Sequence, residues 1–555
     1  MKHDDERIKS IEISADKDFI TRLFEIIPGV LSWGFFVGLV VFSFLSPIAV
    51  AYVIIAYDIF WLIKSVGMIR RVIQAYFRLN YFDSIDWNEI LNKLRATRPL
   101  EKVLEELSTL QEKVSSRPQK FAIQAIIDQL NQAKKDKVNI VSPDDIVNVA
   151  IIAVYNENEE VVASTLESVA KSDYPNDKLL VVIAYEERGG KTVEKYVKSL
   201  SSQYKKKFMD VIAVKHPKDL PGEVIGKGGN ITYAGRVLNN YIEKKGIQKN
   251  NVIVTTLDAD NQPAKNYFSY LTFVYITTKN RKYASYQPVP MFVNNIWDAP
   301  APMRIIATSN SFWMLVQSMR PHLLRNFSAH AQSLDALVET DFWSTKTIVE
   351  DGHQYWRSFF AFDGNHDVVP LFVAVRQDAV LSKGYLRTFK AQFIQLRRWA
   401  WGVSDVAYVV RQSINNKQIP FFRKLVKLLR LMEGHISWAT APIVIAFVPW
   451  LPGFLSPTSD QDIVVLSLPV IASYIQTVAT GGILVTIFLS FLMLPKRPER
   501  YKRGRTVVLL LQWFLLPLTS IFFSATAALT AQTRLMMGKY LEQFDVTEKH
   551  RVEKS

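Results

Sequence analysis

The chain reads as an α/β domain, a doubly wound and mostly parallel sheet, flanked by α-helical transmembrane segments. Two features predict this. Long apolar blocks almost free of charge lie near both ends, and roughly 360 residues of soluble character between them alternate short β-branched runs with helix-like stretches. Composition removes other classes: Gly and Pro are ordinary, so the chain is neither collagen-like nor disordered. Cysteine is absent, which excludes a disulfide framework, a thiol nucleophile, a thiolate zinc site and an iron–sulfur cluster. The formal charge is +15 and aromatic residues make up 12%, a balance that suits a membrane interface.

Residues 1–27 are polar and of mixed charge, a cytosolic tail rather than a cleavable signal. From Pro28 to Ile63 the only ionisable residue is Asp58. One helix of that length would reach ~54 Å, too long for a hydrocarbon core of about 30 Å. Ser46-Pro47 breaks the run, so 28–63 is expected to form a two-span hairpin. Residues 64–146 read as a helical cytosolic insert, with Ile90, Leu94, Leu100, Val103, Leu104 and Leu107 at helical spacing. A C-terminal membrane region covers 431–533, and a tail follows at 534–555. Its loop 496–505 carries six basic residues against one acid, which places it in the cytoplasm. Reading Ile463–Leu494 as one span gives five in total.

The soluble part, 147–386, opens on the buried strand Val147–Val154 and a helix at 159–171. A strand at 179–184, a helix at 192–200, and strands at 211–214 and 251–257 follow. Strands alternating with helices imply a parallel sheet, and ligands bind such sheets beyond the carboxyl ends of the strands. The first strand runs into Tyr155-Asn156-Glu157, where a ring can stack on a nucleobase and a carboxylate can accept a base N–H. The second ends in Glu186-Glu187-Arg188-Gly189-Gly190. Gly190-Lys191-Thr192 is no phosphate loop of the Walker type, because Tyr185 stands where that pattern requires glycine. Gly226-Lys227-Gly228-Gly229-Asn230 precedes a helix and offers backbone N–H groups and an ammonium to a phosphate, with Asn230 as its cap.

The fourth strand ends in Asp258-Ala259-Asp260. Two carboxylates one residue apart can share a hard divalent cation with diphosphate oxygens. Glu350-Asp351 heads a helix running through Arg357 and supplies a candidate general base. Residues 387–430 hold ten basic residues against one acid, with aromatic residues interleaved, as expected of interface helices on anionic headgroups. The flanking spans argue against nucleic acid as the partner. Within this stretch Gln395, Arg398 and Trp399 share neighbouring faces of one helix, an arginine for diphosphate and a flat ring for a pyranose.

Taken in order, Tyr155-Asn156-Glu157, Lys227-Gly228-Gly229-Asn230, Asp258-Ala259-Asp260, Glu350-Asp351 and Gln395-x-x-Arg398-Trp399 resemble the membrane-embedded family 2 glycosyltransferases. That group includes cellulose, hyaluronan and chitin synthases. The resemblance covers about Val147 to Val410 and the flanking spans. It implies a GT-A fold and inverting transfer from a nucleotide-diphosphate sugar, with a UDP-sugar as donor. By the same resemblance Asp258 and Asp260 would bind Mg²⁺ or Mn²⁺ and Asp351 would act as base. Tyr155, Glu157, Glu186, Lys227 and Asp258 would hold the nucleotide sugar, and Gln395, Arg398 and Trp399 would shape the diphosphate and acceptor end.

The acceptor implied is a glycan or a lipid at the membrane, with the catalytic domain cytoplasmic and the plasma membrane as its location. Processive synthesis, single transfer to a lipid and an inactive secretion scaffold stay open, as do accessory secretion proteins. Two departures from the family pattern stand out. Glu186 or Glu187 replaces the usual Asp after the second strand, and Val349 replaces Thr before Glu350-Asp351. The tail segment 544–549 resembles a cytoplasmic ending, which needs an even number of spans and conflicts with five.

Overall fold

The structure is a computed structural model, described here for residues 11–13, 18–95, 98–455 and 462–541. It opens with α1 (Phe19–Leu45) and α2 (Pro47–Asp83), which turn at Ser46. Ser46 is extended and Pro47 sits at the first helical position, where its missing N–H costs nothing. The small helices α3 (Trp87–Lys93), α4 (Leu100–Lys113) and α5 (Arg117–Lys135) follow. They are not a free-standing insert. Val103, Leu107, Ile123, Ile126 and Leu130 join the main core, and Trp87 stacks on Tyr270 with ring centres 4.3 Å apart.

The α/β domain then runs β1 (Val147–Val154), α6 (Glu159–Ala170), β2 (Leu179–Glu186), α7 (Gly190–Tyr204), β3 (Asp210–His216), α8 (Lys227–Lys244) and β4 (Val252–Asp258). Alternation along the strands feeds two cores. Ala150, Ile152 and Val154 of β1 face the side covered by α6 and α7, whereas Val147, Val149 and Ile151 face α8. β2 divides likewise, with Val181, Ile183 and Tyr185 on the first side and Leu180, Val182 and Ala184 on the second. This half is doubly wound, in the order β3-β2-β1-β4 and all parallel.

The other half makes the sheet mixed, through two short reversed strands. It comprises β5 (Gln262–Pro263), α9 (Tyr267–Thr277), β6 (Ala284–Phe292), α10 (Ala301–Ser318), β7 (Ala331–Ser333), α11 (Leu334–Glu339), α12 (Glu350–Ala361) and β8 (Asp367–Gln377). The sheet order continues β4-β7-β6-β8-β5, with β7 antiparallel to both neighbours and β5 antiparallel to β8. β6 and β8 pair parallel and run with the first four strands, so the eight-stranded sheet is mixed through β5 and β7 alone. Pro288 and Pro290 in β6 and Pro370 in β8 remove ladder donors, which hides these strands from a reading of sequence. β7 is too short to show any period.

The basic stretch 387–430 is also rearranged relative to expectation. Its motif helix α13 (Tyr385–Ala400) is followed by α14 (Asp405–Asn415), whose Val406, Ala407, Tyr408, Val409 and Val410 are all buried. The end of the stretch, from Phe421, is already the first part of α15 (Phe421–Phe447). Amphipathicity here serves protein packing as well as the interface. α16 (Ile463–Leu492) and α17 (Arg505–Met536) complete the chain, the latter with irregular turns inside it. Among the described residues, five helices are long and apolar enough to cross a membrane: α1, α2, α15 with its continuation to Leu455, α16 and α17. The tail segment 544–549 lies outside the described residues.

Candidate active site

Four segments converge at the carboxyl ends of β1 and β4. Lys227, at the start of α8, lies between them. Its Nζ is 2.9 Å from Asp258 Oδ1, 3.0 Å from Asp351 Oδ2 and 3.8 Å from Glu350 Oε1. Burial opposes the ammonium charge, but the fields of Asp258, Asp351 and Glu350 outweigh it and raise the Lys227 pKa. The approach depends on Gly228. A Cβ there would sit 2.3 Å from the Ser344 carbonyl oxygen, so a side chain would push the first turn of α8 away.

The loop read from sequence as preceding α8 is its first turn, and Asn230 is inside the helix rather than its cap. Its Nδ2 donates to the Ala184 carbonyl at 2.9 Å, which fastens α8 to β2.

Asp258 and Asp260 point into different surroundings. The Asp258 side chain is one-third exposed, and its Oδ2 accepts from Ser328 Oγ at 2.7 Å. Asp260 is buried, and its Oδ2 accepts from the Asp378 backbone N–H at 2.8 Å. Asn294 Nδ2 donates to the Asp260 carbonyl at 3.1 Å and to Asp378 Oδ1 at 2.9 Å, so a third carboxylate stands behind the pair. Among the described residues no group of three or more His, Cys, Asp or Glu side chains is placed to hold a metal. The donor set still fits Mg²⁺ or Mn²⁺, because such ions are commonly bound by one or two carboxylates with water and phosphate oxygens completing the shell.

Glu350 and Asp351 begin α12, where the helix dipole favours acids. The Asp351 side chain remains 20% exposed, whereas Glu350 is buried and its Oε2 has no hydrogen-bond partner among the described residues. Burial first, then the charge of Asp351, raises the Glu350 pKa well above the usual carboxylate range, against the opposing fields of Lys227 and Arg398. Burial thus favours the neutral form of Glu350. Glu350→Gln should therefore leave turnover within about threefold of wild type, because a neutral amide replaces that form at equal shape; steady-state kinetics on purified variant checks this.

His330 closes the cluster. Its Nε2 accepts from Trp343 Nε1 at 3.1 Å, so the proton is on Nδ1, which donates to the Phe327 carbonyl at 2.9 Å and lies 3.6 Å from Asp351 Oδ1. Burial keeps this imidazole neutral by lowering its pKa. It faces Asp351 as a fixed dipole rather than a charge.

Glu186 is engaged in a second cluster. Both its oxygens lie 3.1 Å from His216 Nδ1, and Arg188 is 3.4 Å away. His216 Nε2 is 3.0 Å from Glu223. Burial alone would lower the His216 pKa, but the hydrogen bonds to Glu186 and Glu223 raise it to about 9. The imidazolium accordingly contributes stability that is complete below its unfolded value near 6.5 and is lost as pH rises through about 9. Linkage gives about 3 kcal/mol, reduced to roughly 2 by partial solvent screening. A melting temperature that falls between about pH 6.5 and pH 9 in wild type, and falls less in His216→Gln, is the expected outcome.

The remaining residues frame the cleft. Glu157 Oε2 accepts from the Tyr155 N–H at 2.7 Å, and the Glu157 carbonyl accepts from Tyr196 Oη at 2.7 Å. Tyr155 itself packs by its carbonyl against Gly189, where a Cβ would come within 2.1 Å. On α13, Gln395 is buried and accepts from Gln392 at 3.1 Å. The charge of Arg398, on the same helix, weakly favours the ionised form of Glu350. Trp399 packs on Phe292 at the end of β6, ring centres 5.8 Å apart.

Lys227, Asp258, Glu350 and Asp351 therefore form one cluster, while Glu186 belongs to a second one with His216, Arg188 and Glu223. Ser328, His330 and Asp378 were not singled out by sequence, since nothing in their surroundings marks them. His216 ends a strand that was recognised, and the rule about strand ends would have found it.

No family model and no curated protein matches the chain. Among solved structures, a mannosyltransferase from Pyrobaculum calidifontis in complex with GDP-Man and Mn2+ is 13% identical, with a TM-score of 0.37, over 80% of this chain and 100% of that one. S. aureus TarS 1–349 in complex with UDP-GlcNAc is 13% identical, with a TM-score of 0.34, over 71% of this chain and 93% of that one. Both superpose only loosely.

Proposed function

We propose that this chain is a membrane-bound inverting glycosyltransferase of the GT-A type. It moves a sugar from a nucleotide-diphosphate donor, a UDP-sugar, to a glycan or lipid acceptor at the bilayer. The observation that carries this reading is the ammonium of Lys227 set between Asp258 and Asp351 at the mouth of the parallel strands. Inversion requires one base and an in-line donor, and no covalent intermediate. Lys227 holds the Asp351 carboxylate. A donor diphosphate offers Lys227 new anionic oxygens, so Asp351 becomes available to take the proton of the acceptor hydroxyl. The acceptor oxygen bonds to the anomeric carbon, the bond from that carbon to the phosphate oxygen breaks, and the nucleoside diphosphate leaves.

Arg398, whose charge acts on Glu350, can stabilise the leaving diphosphate. Asp258, backed by Asp260, would hold Mg²⁺ or Mn²⁺, which neutralises charge on the diphosphate when bound. Tyr155 and Glu157 border the nucleotide end, Glu186 is held there by His216, and Gln395 and Trp399 line the acceptor side. The basic loop 496–505 touches the domain through Arg500 and Tyr501, each 2.6 Å from Asp298. Domain and loop therefore share a side of the membrane, the cytoplasmic side by the positive-inside rule, and the plasma membrane is the location this reading assigns.

Membranes bearing the chain should incorporate label from one member of a panel of radiolabelled nucleotide sugars in the presence of Mn²⁺ or Mg²⁺. Product sizing then separates a polymer from a glycolipid. Absence of incorporation and of donor hydrolysis across the panel would overturn the reading.

A further inference from the structure

Both ends of α17 are fastened to the soluble domain or to the domain-side ends of other helices. At its start Arg505 donates to the Trp297 carbonyl at 3.2 Å, and Gln512 Oε1 accepts from buried Arg304 Nε at 2.7 Å. In the middle Phe523 packs on Phe389 of the motif helix α13, ring centres 5.8 Å apart, and Ser524 Oγ accepts from Trp438 at 2.7 Å. Towards its end Ala528, Ala531 and Leu535 share a core with Trp356, Trp401 and Val406 of the soluble part. Arg22, in the first turn of α1, donates to the Leu535 carbonyl at 2.7 Å, and Ser32 donates to Gln532 at 2.6 Å.

The opposite pole of the helical bundle is built without α17. There Leu39, Val50, Ile54, Val444, Val448, Val465 and Leu468 form a cluster that contains no described residue of α17. A helix of this length extends ~48 Å, more than the hydrocarbon thickness of about 30 Å. Were it a crossing helix, one end would have to reach or pass that pole. Instead it runs beneath the domain. One face, with Leu509, Trp513, Ala525, Ala528 and Ala531, is buried against protein, while Val507, Leu510, Leu511, Phe514, Leu518 and Phe522 are exposed.

We propose that α17 does not cross the bilayer but lies along the leaflet on the domain's side, its exposed apolar face in lipid. The occupant of that face is acyl chain, because its residues are uncharged over the whole run and both helix ends are tied at one level. Four helices then cross, α1, α2, α15 and α16, and Gly538 emerges on the same side as the acidic cleft. This even number removes the conflict between five spans and a cytoplasmic ending. It is independent of the transfer reaction.

The cysteine-free chain makes the test direct. Single cysteines are introduced at Lys539, at Arg503 in the basic loop and at Ser46 in the far turn, and sealed vesicles of each orientation receive a membrane-impermeant maleimide. Lys539→Cys is expected to react in the orientation in which Arg503→Cys reacts and to lose labelling in the one in which Ser46→Cys reacts. Labelling of Lys539→Cys together with Ser46→Cys would overturn the proposal. Phe514→Cys should resist the impermeant reagent in both orientations and react only once detergent removes the bilayer, because a thiol in hydrocarbon forms no thiolate; reaction with the impermeant reagent in intact vesicles would refute the lipid-facing assignment.

Discussion

Replacing Asp351 by asparagine is expected to lower transfer turnover by roughly 10²–10⁴-fold, the usual contribution of a positioned general base. The amide keeps the shape of the carboxylate at the head of α12, so folding and membrane insertion should be retained. The donor's KM should change little, because Asp258 still faces Lys227 and the nucleotide end is untouched. A purified Asp351→Asn variant that turns over at the wild-type rate would remove Asp351 from the reaction. The contrast with Glu350→Gln is the sharper control. The two acids are adjacent in sequence, yet one is partly open and paired to Lys227 while the other is buried, with its pKa raised by that burial. Only the open one can receive a proton from an incoming hydroxyl.

That contrast also shows where sequence stops being informative. Both acids stood out in sequence because acids at a helix start are recognisable, and the strand ends at Asp258 and Glu186 were legible from uninterrupted β-branched runs. Continuous apolar runs, buried on both faces in β1 and β2, made the parallel half of the sheet readable. What could not be read depends on contacts far apart along the chain. Asp260 and Asp378 meet across 118 residues, and His330 reaches Asp351 through a loop with no pattern of its own. The pairing of Glu186 with His216 required knowing that β2 and β3 lie side by side in register. The proline-bearing strands β6 and β8 defied the strand rules because their pairing partners, rather than their own propensities, keep them extended. Hydropathy similarly marks α17 as a span, because composition records which residues are apolar but not which of them touch protein.

Lys227→Met is expected to have the largest combined effect on stability and activity. The substitution keeps the length and apolar stem of the side chain but removes the one charge shared by Asp258, Asp351 and Glu350. Breaking a buried ion pair from one side costs about 3–5 kcal/mol, which corresponds to a fall in melting temperature on the order of 10 °C for a domain of this size. Turnover should drop by roughly 10²–10³-fold through loss of the charge that meets the diphosphate. A second consequence separates electrostatics from simple loss of packing. Without the ammonium, the carboxylates repel one another and become a better site for a divalent cation, so Mg²⁺ or Mn²⁺ should raise the melting temperature of the variant more than that of the wild type. Calorimetry with and without the ion measures this directly. An equal shift in both proteins would mean that the acids at the ends of β4 and α12 do not act on a common cation, and that Lys227 holds the cleft together by shape alone.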